Sequence, residues 1–309
     1  MPLSSWWDWL AEAPRKTMAV RVLQGAIGTM LLFRVFTELP FALYLWGPNG
    51  IGHGTTREFL GPALGTLADL PFASELGTVF VLLVLGGAAL GLLVGWQTLI
   101  STAVAIGAFF LLDNRLPELY DSGDTAMRLT LLYLLLVLPT GASAPRGSML
   151  VWLHNVGVLA IAMQTMILYA TSGLMKAAGQ EWYEGTALYY ISQLESLSLP
   201  AFRELAKEPL ATTMGTYFTV LYEVLFPVAV LSPLRRTWIA LGAALHLAIA
   251  ISLGLITFSI IMIGLDLFFI TDAEYVCLWG WGRRAQSRVG SALGWVTARL
   301  KSRGGTVSQ

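Results

Sequence analysis

Polar residues occur in this chain as short clusters, and the apolar runs between them are long enough to cross a bilayer. A transmembrane helix needs roughly 20 apolar residues at about 1.5 Å of rise each. By that measure about eight spans are predicted, near 17–39, 77–95, 96–112, 126–140, 149–175, 211–232, 237–253 and 255–271. The stretch Trp238–Ile270 is too long for one span, and Gly254 is the break that divides it in two. Ahead of the first run, Ser4-Ser5-Trp6-Trp7-Asp8-Trp9-Leu10 reads as an interfacial amphipathic helix within residues 1–16, because indole rings favour the headgroup layer. No convincing signal-peptide cleavage site follows it. The pattern predicts an all-α polytopic bundle over 17–272, with a basic tail over 273–309.

Composition agrees. Of 309 residues, 56% are hydrophobic and 12% charged, about half the charged share of an average soluble domain. The mean hydropathy is +0.67. These values argue against a water-soluble globule. Nineteen basic and nineteen acidic residues cancel, so no net field attracts nucleic acid. The single cysteine, Cys277, excludes an intramolecular disulfide and a cysteine-rich cluster. His53, His154 and His246 lie far apart without HExxH spacing, so no metal site is expected.

Basic residues orient such a bundle. Arg15, Lys16, Arg21, Arg146, Arg235, Arg236, Arg283, Arg284, Arg288, Arg299, Lys301 and Arg303 fall on one face, and Arg57, Arg115, Arg128, Lys176, Arg203 and Lys207 on the other. This asymmetry places both termini in the cytoplasm and the even number of spans that follows keeps the basic tail inside. Acidic residues gather on the external face, among them Asp113, Glu118, Asp121, Asp124, Glu181 and Glu184.

Each ionisable residue at membrane depth is a candidate functional group, because the bilayer penalises it. Arg34 and Glu38 are four apart on the first span and can neutralise one another. Asp124 and Arg128 repeat that spacing after the turn-rich Asp121-Ser122-Gly123-Asp124, where Asp124 is either a helix cap or a site residue. Glu223 and Asp266 have no basic residue within reach on their own helices and need a partner from another span, or a proton. His246 stands alone on an apolar helix, either a packing residue or a catalyst.

The densest cluster closes the fifth span. Tyr169, Ser172, Gly173 and Lys176 recur at three and four residues and share one stripe, whose small members let another backbone approach. Trp182, Glu184 and three tyrosines follow closely. Lys176 is either a snorkelling anchor or, held in a partly dry pocket, a general base.

At this cluster the chain resembles the HTTM family, the membrane domain shared by vitamin K-dependent gamma-carboxylase and many bacterial proteins. The resemblance rests on Tyr169 through Lys176 to Trp182, Glu184, Gly185 and Tyr190; on Arg34; on Asn114-Arg115, Gly123-Asp124 and Arg128; on Pro139; and on His246, Gly254 and Phe258-Ser259. It implies a base at Lys176 that starts oxygen-dependent oxidation of a reduced quinone of the vitamin K type, a lyase-type carboxylation downstream, and a functional His246. It also implies an external site and a bacterial cytoplasmic membrane location. Where the carboxylase has an Asn-His pair this chain has Gly123-Asp124, and the short basic stretch after Ala273 is not expected to form its large lumenal domain. Shorter bacterial members include proteins associated with maturation of a secreted peptide toxin.

Three classes follow. An enzyme, quinol-dependent or peptide-modifying, would use Lys176 and His246 as catalytic groups, with Tyr169, Trp182, Glu184, Asp124, Arg128, Arg34 and Glu223 binding substrate or lipid. A non-enzymatic subunit would bind a partner helix, a lipid or quinone, or a secreted peptide. A transporter would use Glu223 and Asp266, but no inverted repeat is visible.

Overall fold

The computed structural model describes residues 9–52 and 55–280, and its chain divides into two compact units, residues 1–269 and 270–309. Within the first unit every regular element among the described residues is helical. Eight principal helices run α1 Thr17–Glu38, α2 Glu75–Val94, α3 Thr98–Arg115, α4 Ser122–Leu134, α5 Met149–Ala178, α6 Pro209–Val230, α7 Arg235–Leu253 and α8 Ile256–Leu267. Their places follow the apolar runs, except that α4 starts four residues before the run 126–140 and ends six before it does. Among the described residues five segments, fewer than the eight expected, are long and apolar enough to cross a membrane: Thr17–Trp46, which continues α1, and α2, α5, α6 and α7. A sixth follows if α8 is counted with the helix after it. The chain is an integral membrane protein of helical type. Much of the proposed interfacial segment, His53 and most of the basic tail lie outside the described residues.

Local chemistry sets the helix boundaries. Ser74 caps α2 by accepting from Gly77 N, and Ser148 caps α5 by accepting from Val151 N. The break in the long apolar stretch is at Gly254, whose φ of 67° is a left-handed value that glycine adopts without strain. Two helices result, as the sequence predicts.

Close backbone approach joins α1 to α2. A side chain at Gly28 would place its Cβ 2.6 Å from Ala89 O and 2.7 Å from Leu93 N. Gly28→Val is therefore expected to force the two helices apart, at an overpacking cost of about 1–3 kcal/mol, read as a lower thermal midpoint in detergent micelles.

Two of the basic residues counted for orientation are bound to helix ends. Arg21 donates to Leu92 O and Leu93 O at the end of α2, and Lys16 Nζ donates to Phe268 O and Phe269 O just after α8, at 3.0 and 2.9 Å. These carbonyls have no partner within their own helices, and a cation there satisfies both them and the dipole. His154 is buried. Its Nδ1 accepts from Leu138 N at 3.1 Å, and Nε2 lies 2.8 Å from Arg15 O. Asn155 beside it donates to Leu10 O and Ala13 O, which pins the incoming chain to α5.

Candidate functional site

The polar stripe of α5 packs on α6. At Gly173 a Cβ would come within 2.7 Å of Val224 N, so the absence of a side chain is what lets the helices close. This closure aligns Lys176 with Glu223. Lys176 Nζ donates to Glu223 Oε1 and Oε2 at 2.9 and 2.7 Å and to Ser172 Oγ at 2.6 Å. All three ammonium hydrogens thus have acceptors. The Trp182 ring lies 5.4 Å from Nζ, in cation–π range. Side-chain exposure is 23% for Lys176 and 11% for Glu223, so the pair is largely out of solvent.

A second group begins at the neighbouring α6 position. Asp266 of α8 is fully buried and accepts from Tyr169 Oη at 2.8 Å and from Tyr222 Oη at 3.4 Å. Tyr169 Oη also lies 2.8 Å from His246 Nε2. With the Tyr169 proton committed to Asp266, Nε2 carries the hydrogen that it gives to the phenol oxygen. That leaves Nδ1 as a bare acceptor, and it is buried with no hydrogen-bond partner among the described residues. Aromatic contacts fix the group: Tyr169 stacks on Phe226 at 4.0 Å, Tyr222 stacks on Trp238 at 5.5 Å, and Phe258 meets the imidazole edge-on at 5.6 Å. Trp238 Nε1 also donates to Tyr222 O. On α7, Gly242 makes room for this arrangement, because a Cβ there would overlap Tyr222 Oη and Asp266 Oδ2.

Four helices thus deliver Tyr169 and Lys176, Tyr222 and Glu223, His246, and Asp266 to one region. Tyr222 and Gly242, which the sequence does not single out, complete it with Asp266, which the sequence marks as an acid in need of a partner or a proton. Gly242 lies four residues before His246, hence on the same face, and that is the sequence signal for it.

Arg34, Asp124 and Arg128 belong to a different cluster. Arg34 Nε pairs with Glu38 at 2.7 Å, and its Nη1 pairs with Asp124. Its guanidinium also lies 4.5 Å from the Tyr120 ring centroid. Burial pushes the Tyr120 hydroxyl well above its ordinary range, and Glu38 adds to this. Arg128 pairs with Asp113 and not with Asp124. Asp121 caps α4, and Asp124 completes the capping box by accepting from Asp121 N at 2.9 Å, so Asp124 serves both the helix end and Arg34. A polar cavity of about 300 Å³ opens beside Asp113, Tyr120, Asp121 and Arg128. This cluster is separated from His246 by Phe258, which packs against Gly123. Glu184 is not part of either group. It is exposed and accepts from Gln180 Nε2 at 2.9 Å.

Two proteins of Bacillus subtilis (strain 168) are similar to part of the chain. The uncharacterized protein YitO is 31% identical over 121 residues, which cover 37% of this chain and 39% of YitO. The sporulation-delaying protein SdpB is 26% identical over 127 residues, 39% of each chain. The chain matches well under half the length of these curated relatives. No family model and no solved structure matches it.

Proposed function

We propose that this chain is a membrane-embedded proton-transfer enzyme of the HTTM type, working at the outward end of its bundle. The Lys176–Glu223 pair is its base, and the group around His246 positions the substrate. One observation carries this reading: six ionisable side chains from four helices meet in one largely buried region. Stability alone does not call for them, since apolar residues of similar volume would serve as well or better. Buried ionisable clusters of this kind mark functional sites.

As an ammonium whose hydrogens are all donated, Lys176 cannot accept a proton. It becomes a base once a proton has crossed the 2.7 Å to Glu223, which leaves a neutral amine beside a neutral acid. The group around His246 offers one polar contact to a reduced quinone, the substrate that the HTTM resemblance implies, because the buried lone pair of Nδ1 is an acceptor for one of its hydroxyls. When bound, a reduced quinone would supply two phenolic protons and two electrons, which dioxygen as the oxidant would take up to give the quinone and hydrogen peroxide. Residues of the chain do the rest: Nδ1 accepts, Tyr169 and Asp266 hold the imidazole in that tautomer, and the Lys176–Glu223 pair takes the proton away.

The test is oxidation of reduced menaquinone by proteoliposomes in air. The wild-type protein is expected to exceed protein-free liposomes, and Lys176→Arg to lose that excess, because arginine keeps the charge but cannot give up its proton. The saturated ammonium also suits a second reading, a non-enzymatic subunit in which the pair only neutralises itself. On that reading the wild-type rate equals the blank, and Lys176→Arg is tolerated in a co-purification assay.

A further inference from the structure

The chain from Gly179 to Glu208, between α5 and α6, forms three short helices, Gln180–Tyr183, Ala187–Ser192 and Pro200–Leu205. Its hydrogen bonds hold it to the bundle. Tyr217 Oη donates to Tyr183 O at 2.8 Å, Thr212 Oγ1 to Ala206 O at 2.7 Å, and Leu199 N to Ser252 O at 2.9 Å. The Leu188 side chain fills the notch left by Gly215 on α6, where a Cβ would stand 2.6 Å from Leu188 Cδ1. Although it is so firmly attached, the segment turns large apolar residues outward: Tyr183 is 76% exposed, Tyr190 58%, Leu194 51% and Leu197 47%.

Depth follows from the helix register. From the Gly173–Val224 contact, α5 runs on to Ala178, about 8 Å, while α6 extends back to Pro209, about 22 Å at the helical rise. The segment occupies this step of about 14 Å, lying against the flank of α6 rather than projecting above it. Since α6 is apolar and long enough to cross a membrane, the step falls at the membrane boundary. Leu210, Met214 and Phe218 are exposed on the same stretch of α6 and continue the apolar surface of the segment. Its charges are Glu181, Glu184, Glu195, Glu204 and Glu208 against Arg203 and Lys207, an acidic excess that repels anionic headgroups and suits zwitterionic ones.

We propose that Gly179–Glu208 lies in the headgroup layer, with its tyrosines and leucines seated in zwitterionic phospholipid. Trp182, part of this segment, covers the Lys176 ammonium. The inference stands without the proposed function. Combined with it, a substrate reaches Lys176 through lipid and is an amphiphile with a polar head and an apolar tail.

Single nitroxide labels test this in a Cys277→Ser background, at Tyr190→Cys, Leu197→Cys and Glu195→Cys, in phosphatidylcholine nanodiscs. The first two labels are expected to collide with oxygen, relative to a water-soluble nickel chelate, several-fold more than the third, whose native side chain is 85% exposed. Circular dichroism matching the parent protein excludes misfolding. Equal chelate access at all three positions overturns the inference, as does spin–spin broadening at 190 and 197, which means that a second copy covers the surface instead of lipid. Because depth and not turnover is read, lipid-buried labels in a protein without quinol activity would retire the function alone.

Discussion

Glu223→Leu is expected to destabilise the protein by about 3–5 kcal/mol, because it strands the Lys176 ammonium where two of its three acceptors stood. Only Ser172 remains to it, and both members of the pair are mostly shielded from solvent. Replacing both partners is a different matter. Lys176→Met with Glu223→Leu removes both charges, and swapping a buried pair for apolar residues of similar volume is neutral or stabilising. The double variant is therefore expected to recover most of the loss. Thermal midpoints in detergent for the native protein, the two single variants and the double variant give the coupling energy. If the costs of the single variants simply add, the two side chains do not pair.

The second large effect is expected at Gly242→Val. Its methyl groups would enter the space of Tyr222 Oη and Asp266 Oδ2. Tyr222 cannot retreat, because it is stacked on Trp238, whose Nε1 bonds its carbonyl oxygen. Overpacking costs about 1–3 kcal/mol, and a buried carboxylate that loses a donor adds about 1–3 kcal/mol more. Ala244→Val, on the exposed side of the same helix, is the control and is expected to leave the midpoint nearly unchanged. A Gly242→Val midpoint equal to that of the control would mean that α7 does not press on the Tyr222–Asp266 contact.

The course of the helices was legible because it follows from local properties of the chain. A long apolar stretch and a glycine able to take a positive φ place α7 and α8 without knowledge of any neighbour. The stripe of Tyr169, Gly173 and Lys176 was legible for the same reason, since helical spacing is enough to put them on one face. Pairing between helices was not. Glu223 announces that it needs a partner, but the partner lies 47 residues away, and only the packing of α5 on α6 selects it. Tyr222 looks like one more aromatic residue in a span, and its role depends on Asp266, 44 residues on. Glu184 misleads in the opposite direction. It is eight residues from Lys176, but the chain leaves the helix at Gly179, with ψ near 136°, and carries Glu184 to the surface. Asp124 and Arg128 have the spacing of an ion pair, and each finds a different partner because Arg34 and Asp113 face them from other helices.

The central claim is that Lys176 and Glu223 perform proton transfer and do more than neutralise one another. Oxidation of reduced menaquinone by the Lys176→Met, Glu223→Leu double variant tests it most directly, because this protein is expected to be as stable as the native one. The rate is expected to fall about 100-fold or more, the usual contribution of a general base. A double variant that is folded and oxidises reduced menaquinone at the native rate would contradict it.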